Sequence, residues 1–332
     1  MSNTDPPMRR GLGITPMETR RDVIVRAATL ADELGFELFS VAEGWGLDAV
    51  AVLAELATVT RRITLVAGVL SVWNRTPATL AMAAATLHQL SGGRFVLGLG
   101  ASSPQLVEGW HDLPYTHPAA RLREVTTRVR DLLRGERAVT CGARPLRLGQ
   151  PPVPDLPIWL AATGERTLRA TAELADGWFP LYLRRDRIRE LRPAITASRP
   201  VTVTAGPFAV VDPDVDAARA AAAACTALYL GAMGDIYPRL VAGQGLAAEV
   251  AAVRATRVVP AQAQPLLDEF TSYGTAETVA ADLARWDEIS DVTVVVLPPG
   301  LPWPRMEATI RAAMPVRPAS PAGRGVDARR SG

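Results

Sequence analysis

Residues 63–70 read ITLVAGVL, a run that is apolar at nearly every position. A strand with one wet face alternates apolar with polar. A run without alternation is buried on both faces, as strands are in parallel sheets covered by helices. The unit recurs along the chain, with strands expected at Leu12–Ile14, Phe36–Ala42, Phe95–Leu99, Ile158–Ala161, Gly177–Tyr182, Val201–Val211 and Val292–Leu297. Helical patterns follow nearly all of them. The first has Thr19 and Asp22 as a cap pair, an apolar face through Val23, Ile24, Ala27, Leu30, Ala31 and Leu34, and Gly35 as its stop. Others are expected over 48–59, from Pro77 to Leu90 ahead of an SGG terminator, over 118–134 and over 165–175. Strands joined by helices are parallel, and eight such units in roughly 300 residues predict a (β/α)8 TIM barrel.

The barrel is expected to occupy residues 1–314 as a single domain with two insertion segments. Residues 139–156 read as a strand-turn-strand excursion. Residues 213–290 hold three or four helical patterns and no strand, an enlarged helical region before the last strand. Residues 315–332 (PVRPASPAGRGVDARRSG) have no apolar periodicity and are expected to form a disordered basic tail.

Composition narrows the chemistry. All 36 basic residues are Arg, so Schiff-base chemistry, a pyridoxal-phosphate lysine and a P-loop lysine are excluded together. Three His (His88, His111, His117) and two Cys (Cys141, Cys225) have no zinc-ligand spacing and imply no disulfide framework, so no metal site is expected. His88 reads as an outer-face residue. Four Arg of the tail against Asp327 account for the net charge of +2, which leaves the body near neutral and without a footprint for nucleic acid. No apolar run reaches membrane-spanning length, and MSNTDPPMRR lacks the core of a secretion signal. These features together predict a cytoplasmic protein acting on a small molecule, with no nucleic-acid or membrane partner.

In a barrel, chemistry gathers at the C-terminal ends of the strands. Glu43, Gly68–Arg75, Ala101–Gln105, Ala162–Gly164 and Leu181–Arg184 meet that test. Ala162-Thr163-Gly164 opens a helix, so its backbone N–H groups and the helix dipole offer an anion site, against the plainer reading of a simple helix start. The run GRFVLGLGASSPQLVEGWHDLPY, ending at Tyr115, is the most informative. Gly98 and Gly100 begin a dinucleotide-type spacing, but Ser103 stands where its third glycine belongs and the strand is the fourth, which disfavours a Rossmann reading. The glycines are expected instead to let a flat ligand approach the backbone.

That run resembles the deazaflavin-dependent (coenzyme F420) branch of the bacterial luciferase-like oxidoreductases, with their GRFxLGLGxSxPQxxEGWHGxP(F/Y) stretch. The pieces ADELGFELFSVAE, RRITLVAGVL, RTPATLAMAAATLHQLSGGR, PIWLAATGERTLRATAELADGWFP and YGTAETVAADLARW follow the family order from about Gly11 to Met314. The resemblance implies hydride transfer between C5 of the deazaflavin and a small organic substrate, and a homodimer formed through helices near the second and third strands.

It also implies roles for particular residues. Gly68–Val69 matches a non-proline cis peptide forming a bulge behind the ring. Ala101, Ser102 and Ser103 match cofactor contacts, and Ala162, Thr163 and Gly164 a phosphate anchor. Arg75 is a further candidate for a phosphate or the acidic cofactor tail, the alternative being a salt bridge. Glu43 is the catalytic candidate, the alternative being a structural carboxylate; relatives follow this acid with His, where this chain has Gly44. Trp45, Glu108 and His111 are candidates for lining the substrate side, although Glu108 equally suits pinning its own loop. Three other readings stand beside this one. They are a flavin mononucleotide (FMN) monooxygenase of the same fold, a lyase or isomerase on a phosphate-binding barrel, and a non-catalytic cofactor-binding relative.

Overall fold

In the computed structural model, which describes residues 9–314, eight parallel strands close on themselves. They are β1 (Arg10–Ile14), β2 (Leu38–Val41), β3 (Thr64–Ala67), β4 (Phe95–Gly100), β5 (Ile158–Ala161), β6 (Gly177–Trp178), β7 (Thr202–Ala205) and β8 (Val292–Leu297). Successive strands pair in order, and Arg10 lies opposite Thr293, so β8 and β1 seal the barrel. The expected tail at 315–332 lies outside the described residues. Among the described residues no helix is long and apolar enough to cross a membrane.

The unbroken apolar runs follow from the two layers they serve. Leu65, Leu97, Ile158 and Val295 pack with helix residues such as Ile24, Leu53 and Leu80 in the layer between sheet and helices. Their chain neighbours Val66, Val96, Trp159 and Val294 form a separate cluster of strand residues alone, which is the barrel interior. Period two thus alternates between two largely apolar environments, and the few polar strand residues, such as Ser40, Thr204 and Thr293, are themselves buried. The helices start and stop largely where expected. Asp48 caps Ala49–Val59, Thr76 with Pro77 opens Pro77–Leu90, and Gly35 ends the first helix at φ +84°.

Several expectations need correction. The first helix spans Arg21–Leu34 with Arg20 at its N-cap and no side-chain cap, so Thr19 and Asp22 do not form the expected pair. Glu18 instead accepts from the Arg20 backbone N–H at 3.0 Å and from its guanidinium. The run Val201–Val211 is two strands, because Pro207 lacks the N–H a ladder needs and Gly206 lies against the Val294 backbone where any Cβ would overlap. The second piece, Phe208–Val211, pairs in parallel with Thr271–Gly274, a strand inside the region expected to hold none. That region carries five α-helices, Val215–Gly231, Ile236–Val241, Ala247–Thr256, Gln264–Phe270 and Ala276–Asp287. Residues 139–156 contain no strand. One backbone hydrogen bond, Ala138 N–H to Leu146 O, closes the excursion, and exposed Val139 and Leu146 with Pro145, Pro151, Pro152 and Pro154 leave a ladder neither core nor donors.

Candidate active site

At the C-terminal mouth of the barrel lies a cavity of about 860 Å3. Ten of the residues given individual roles from the sequence line it, and Ser71, Gln105 and Leu181 from the strand-end stretches join them. Glu43 and Trp45 follow β2, Gly68 and Val69 follow β3, Ala101, Ser102 and Ser103 follow β4, and Ala162, Thr163 and Gly164 follow β5. Arg75, Glu108 and His111 are not part of its lining.

Arg75 is committed elsewhere. Its guanidinium grips Glu43 through both nitrogens at 2.6 and 2.7 Å and reaches Asp48 at 2.7 Å. Both Glu43 and Arg75 are largely buried, and their hydrogen bonds hold the Arg75 guanidinium above its ordinary value despite burial. Asn74 Nδ2 donates to Glu43 at 3.3 Å and lies 3.4 Å from His111 Nε2. The role expected of Arg75 at a phosphate therefore gives way to an ion pair, and Glu43 meets the cavity with its charge already compensated. Glu108 accepts from the Tyr115 backbone N–H at 3.2 Å, so it ties down its own loop.

Gly44, where the resemblance implied His, is explained by packing. A Cβ at this position would stand 2.8 Å from Pro16 Cβ, and Gly46 is confined in the same way by Thr19 and Pro16. The turn after β2 therefore lies flat on Pro16, and beyond Glu43 the half-exposed Trp45 also reaches the cavity.

The third strand leaves the sheet at Gly68–Val69, a cis peptide, and re-pairs as Leu70–Ser71 against Leu99–Gly100. The displaced segment rests on β4. A Cβ on Gly98 would overlap the Ala67 carbonyl oxygen, and one on Gly100 would stand 2.6 Å from Val69 Cγ2. The glycines of LGLG thus accommodate protein backbone and a valine. This corrects the expectation that they serve the close approach of a ligand, although Gly100 also reaches the cavity. After β4, Ser102 adopts φ +60° and its carbonyl accepts from Tyr115 Oη at 3.2 Å, while Ser103 Oγ caps the turn Pro104–Val107.

After β5, Gly164 is the N-cap of the helix Glu165–Leu174 and supplies no side chain to cap it. The N–H groups of that first turn are left for an external acceptor. Arg166 lines the cavity there and has no ion-pair or hydrogen-bond partner among the described residues. Thr163 adds a hydroxyl. Arg166 was missed by sequence reading, although it is the second residue of a helix whose start was legible.

The second omission is larger. Beside Leu181, an expected strand-end residue, Phe179 after β6 and Tyr229, Met233, Ile236 and Tyr237 from the helical region before β8 close another side of the cavity. Nothing local in 213–290 signals this, because the contact is between elements far apart in the chain.

Comparisons with known proteins agree with this architecture. Residues 7–291 match the family model described as luciferase-like monooxygenase. A provisionally assigned coenzyme F420-dependent oxidoreductase of Mycobacterium tuberculosis is 31% identical over 329 residues, covering 87% of this chain and 92% of that protein. A phthiodiolone/phenolphthiodiolone dimycocerosates ketoreductase of Mycobacterium bovis is 28% identical over 273 residues, covering 73% and 71%. Among solved structures, the coenzyme F420-dependent tetrahydromethanopterin reductase of Methanopyrus kandleri superposes with a TM-score of 0.74 at 19% identity, over 92% of this chain and 97% of that one.

Proposed function

The chain belongs to the luciferase-like monooxygenase family, and from that premise we propose that it is a coenzyme F420-dependent oxidoreductase acting on a small organic substrate. The observation that carries this reading is the anion site inside the cavity: the uncapped helix start at Gly164, the Thr163 hydroxyl and the unpartnered Arg166. The cofactor's phosphate and acidic tail need such donors, and a chain without lysine has to supply them from backbone N–H groups and arginine. The cavity is also large enough for a tricyclic ring beside a substrate. The sequence relationship to the mycobacterial oxidoreductase supports the same cofactor.

When bound, the deazaflavin supplies a two-electron hydride donor or acceptor at C5. The chain's own groups supply position. Gly68 and Val69 would offer a backbone surface to the ring, and Ala101 to Ser103 would offer backbone and hydroxyl contacts beside them. Trp45 and Trp110 flank the opening and limit the entry of water. Glu43, ion-paired with Arg75, orients the β2 turn and provides a polar contact. The proposal extends to a cytoplasmic homodimer.

Titration of the purified protein with coenzyme F420 and, separately, with FMN tests this, followed by calorimetry or fluorescence quenching. Micromolar or tighter binding of F420 with much weaker FMN binding is expected. The reverse preference would assign the protein to the monooxygenase chemistry that gives the family its name. Binding of neither would remove the enzymatic reading.

A further inference from the structure

One wall of the cavity carries no charge. Phe179, Leu181, Tyr229, Met233, Ile236 and Tyr237 build it, whereas the charged lining groups, Glu43, Glu165 and Arg166, all follow β2 or β5. Two of these residues are phenols. The Tyr229 and Tyr237 hydroxyls make no hydrogen bond among the described residues. Both residues line the cavity, and the protein uses neither hydroxyl.

The two differ in placement. Tyr229 is 3% exposed and packs on Phe208 and Tyr182 with ring centroids 5.1 and 5.5 Å away. Tyr237 is half-buried and stands edge-on to Tyr229 at 5.5 Å and beside Tyr182 at 5.3 Å. Its helix, Ile236–Val241, is tethered by Gln244. That side chain accepts from the Arg184 backbone N–H at 2.9 Å and donates to Tyr182 O at 2.9 Å and Leu240 O at 3.1 Å. The ring of Tyr237 is therefore held by aromatic edges and a pinned helix, with its hydroxyl left for a ligand.

We infer that the substrate is a neutral ketone with an apolar body seated on this wall, and that its oxygen accepts a hydrogen bond from Tyr237. The inference rests on the oxidoreductase reading and adds the substrate side to it. A charged substrate buried here would lose its hydration with no counter-charge on the wall, whereas a ketone needs one donor for its oxygen and apolar surface for the rest. Burial pushes the Tyr237 hydroxyl up to about 12, so it keeps its proton at neutral pH and remains a donor.

The test is ligand binding, followed by NMR, with the wild-type protein and Tyr237→Phe, each with and without bound F420. The probes are acetophenone, cyclohexanone and 2-decanone, with 4-acetylbenzoate as the charged counterpart of the first. At least one neutral ketone is expected to bind the wild type and to lose about fivefold in affinity in Tyr237→Phe, as one neutral hydrogen bond implies. Binding of 4-acetylbenzoate is expected to be much weaker than that of acetophenone. F420 affinity is expected to be the same in both proteins, which also reports that the variant is folded. Unchanged ketone affinity in Tyr237→Phe, equal binding of the carboxylate, or no ketone binding to the wild type each overturns the inference. Failure of F420 binding alone strikes the cofactor reading, while the unloaded protein still reports on the wall.

Discussion

A methyl group on Gly98 would occupy the space of the Ala67 carbonyl oxygen and stand 2.9 Å from Val69 Cγ1. Neither obstacle yields easily, because one is sheet backbone and the other belongs to the segment that displaces β3. Gly98→Ala is therefore expected to cost about 3 kcal/mol of stability, the upper range for overpacking. Gly142→Ala, with nothing within 4 Å of the added carbon and no positive φ, is expected to change stability by less than about 0.5 kcal/mol. Urea unfolding of the two variants checks both, and equal midpoints would refute the packing account of LGLG. The same scale explains Glu43. As the acid at the end of a barrel strand it looked catalytic in sequence, but its partner Arg75 lies 32 positions further on, and only the fold brings the two within 2.6 Å.

At the scale of elements, the helix Glu165–Leu174 joins the fold to the proposed chemistry. Its first turn offers N–H groups to the cavity, and Arg166 adds the one lining cation among the described residues. Arg166→Ala removes charge-assisted donors without touching the core, and about a tenfold loss of F420 affinity is expected, with unchanged thermal unfolding of the unloaded protein. An unchanged affinity would mean that the phosphate is held elsewhere. This start was legible because strand, small residues and helix follow one another within a few positions. The eight strands were legible for the same local reason, since burial on both faces writes itself into each run. Thr271–Gly274 was not, being four residues of mixed polarity that become a strand only by lying beside Phe208–Val211. The split at Gly206–Pro207 has a local signal in the proline, which cannot donate to a ladder. Tyr229 and Tyr237 left no signal, because their meeting with Phe179 depends on how the region before β8 folds back over the barrel.

At the scale of the whole molecule, some of the exposed apolar side chains fall on two adjacent helices. Val59, Met82 and Leu90 are 42%, 55% and 47% exposed, and all lie on the neighbouring helices Ala49–Val59 and Pro77–Leu90. Small residues dominate these two helices, so their outer surfaces are flat enough for another backbone to approach. A monomer would leave this apolar surface in water, whereas a two-fold interface buries it twice with one set of contacts. The proposed homodimer therefore places this face at its interface, away from the cavity at the strand ends. Light scattering after gel filtration is expected to give twice the 35.4 kDa chain mass. Met82→Arg puts a charge into the seam, and the mass is expected to fall to that of one chain while F420 binding stays within about twofold. A wild-type mass of one chain would remove the dimer. A dimer that survives Met82→Arg would place the interface on another face.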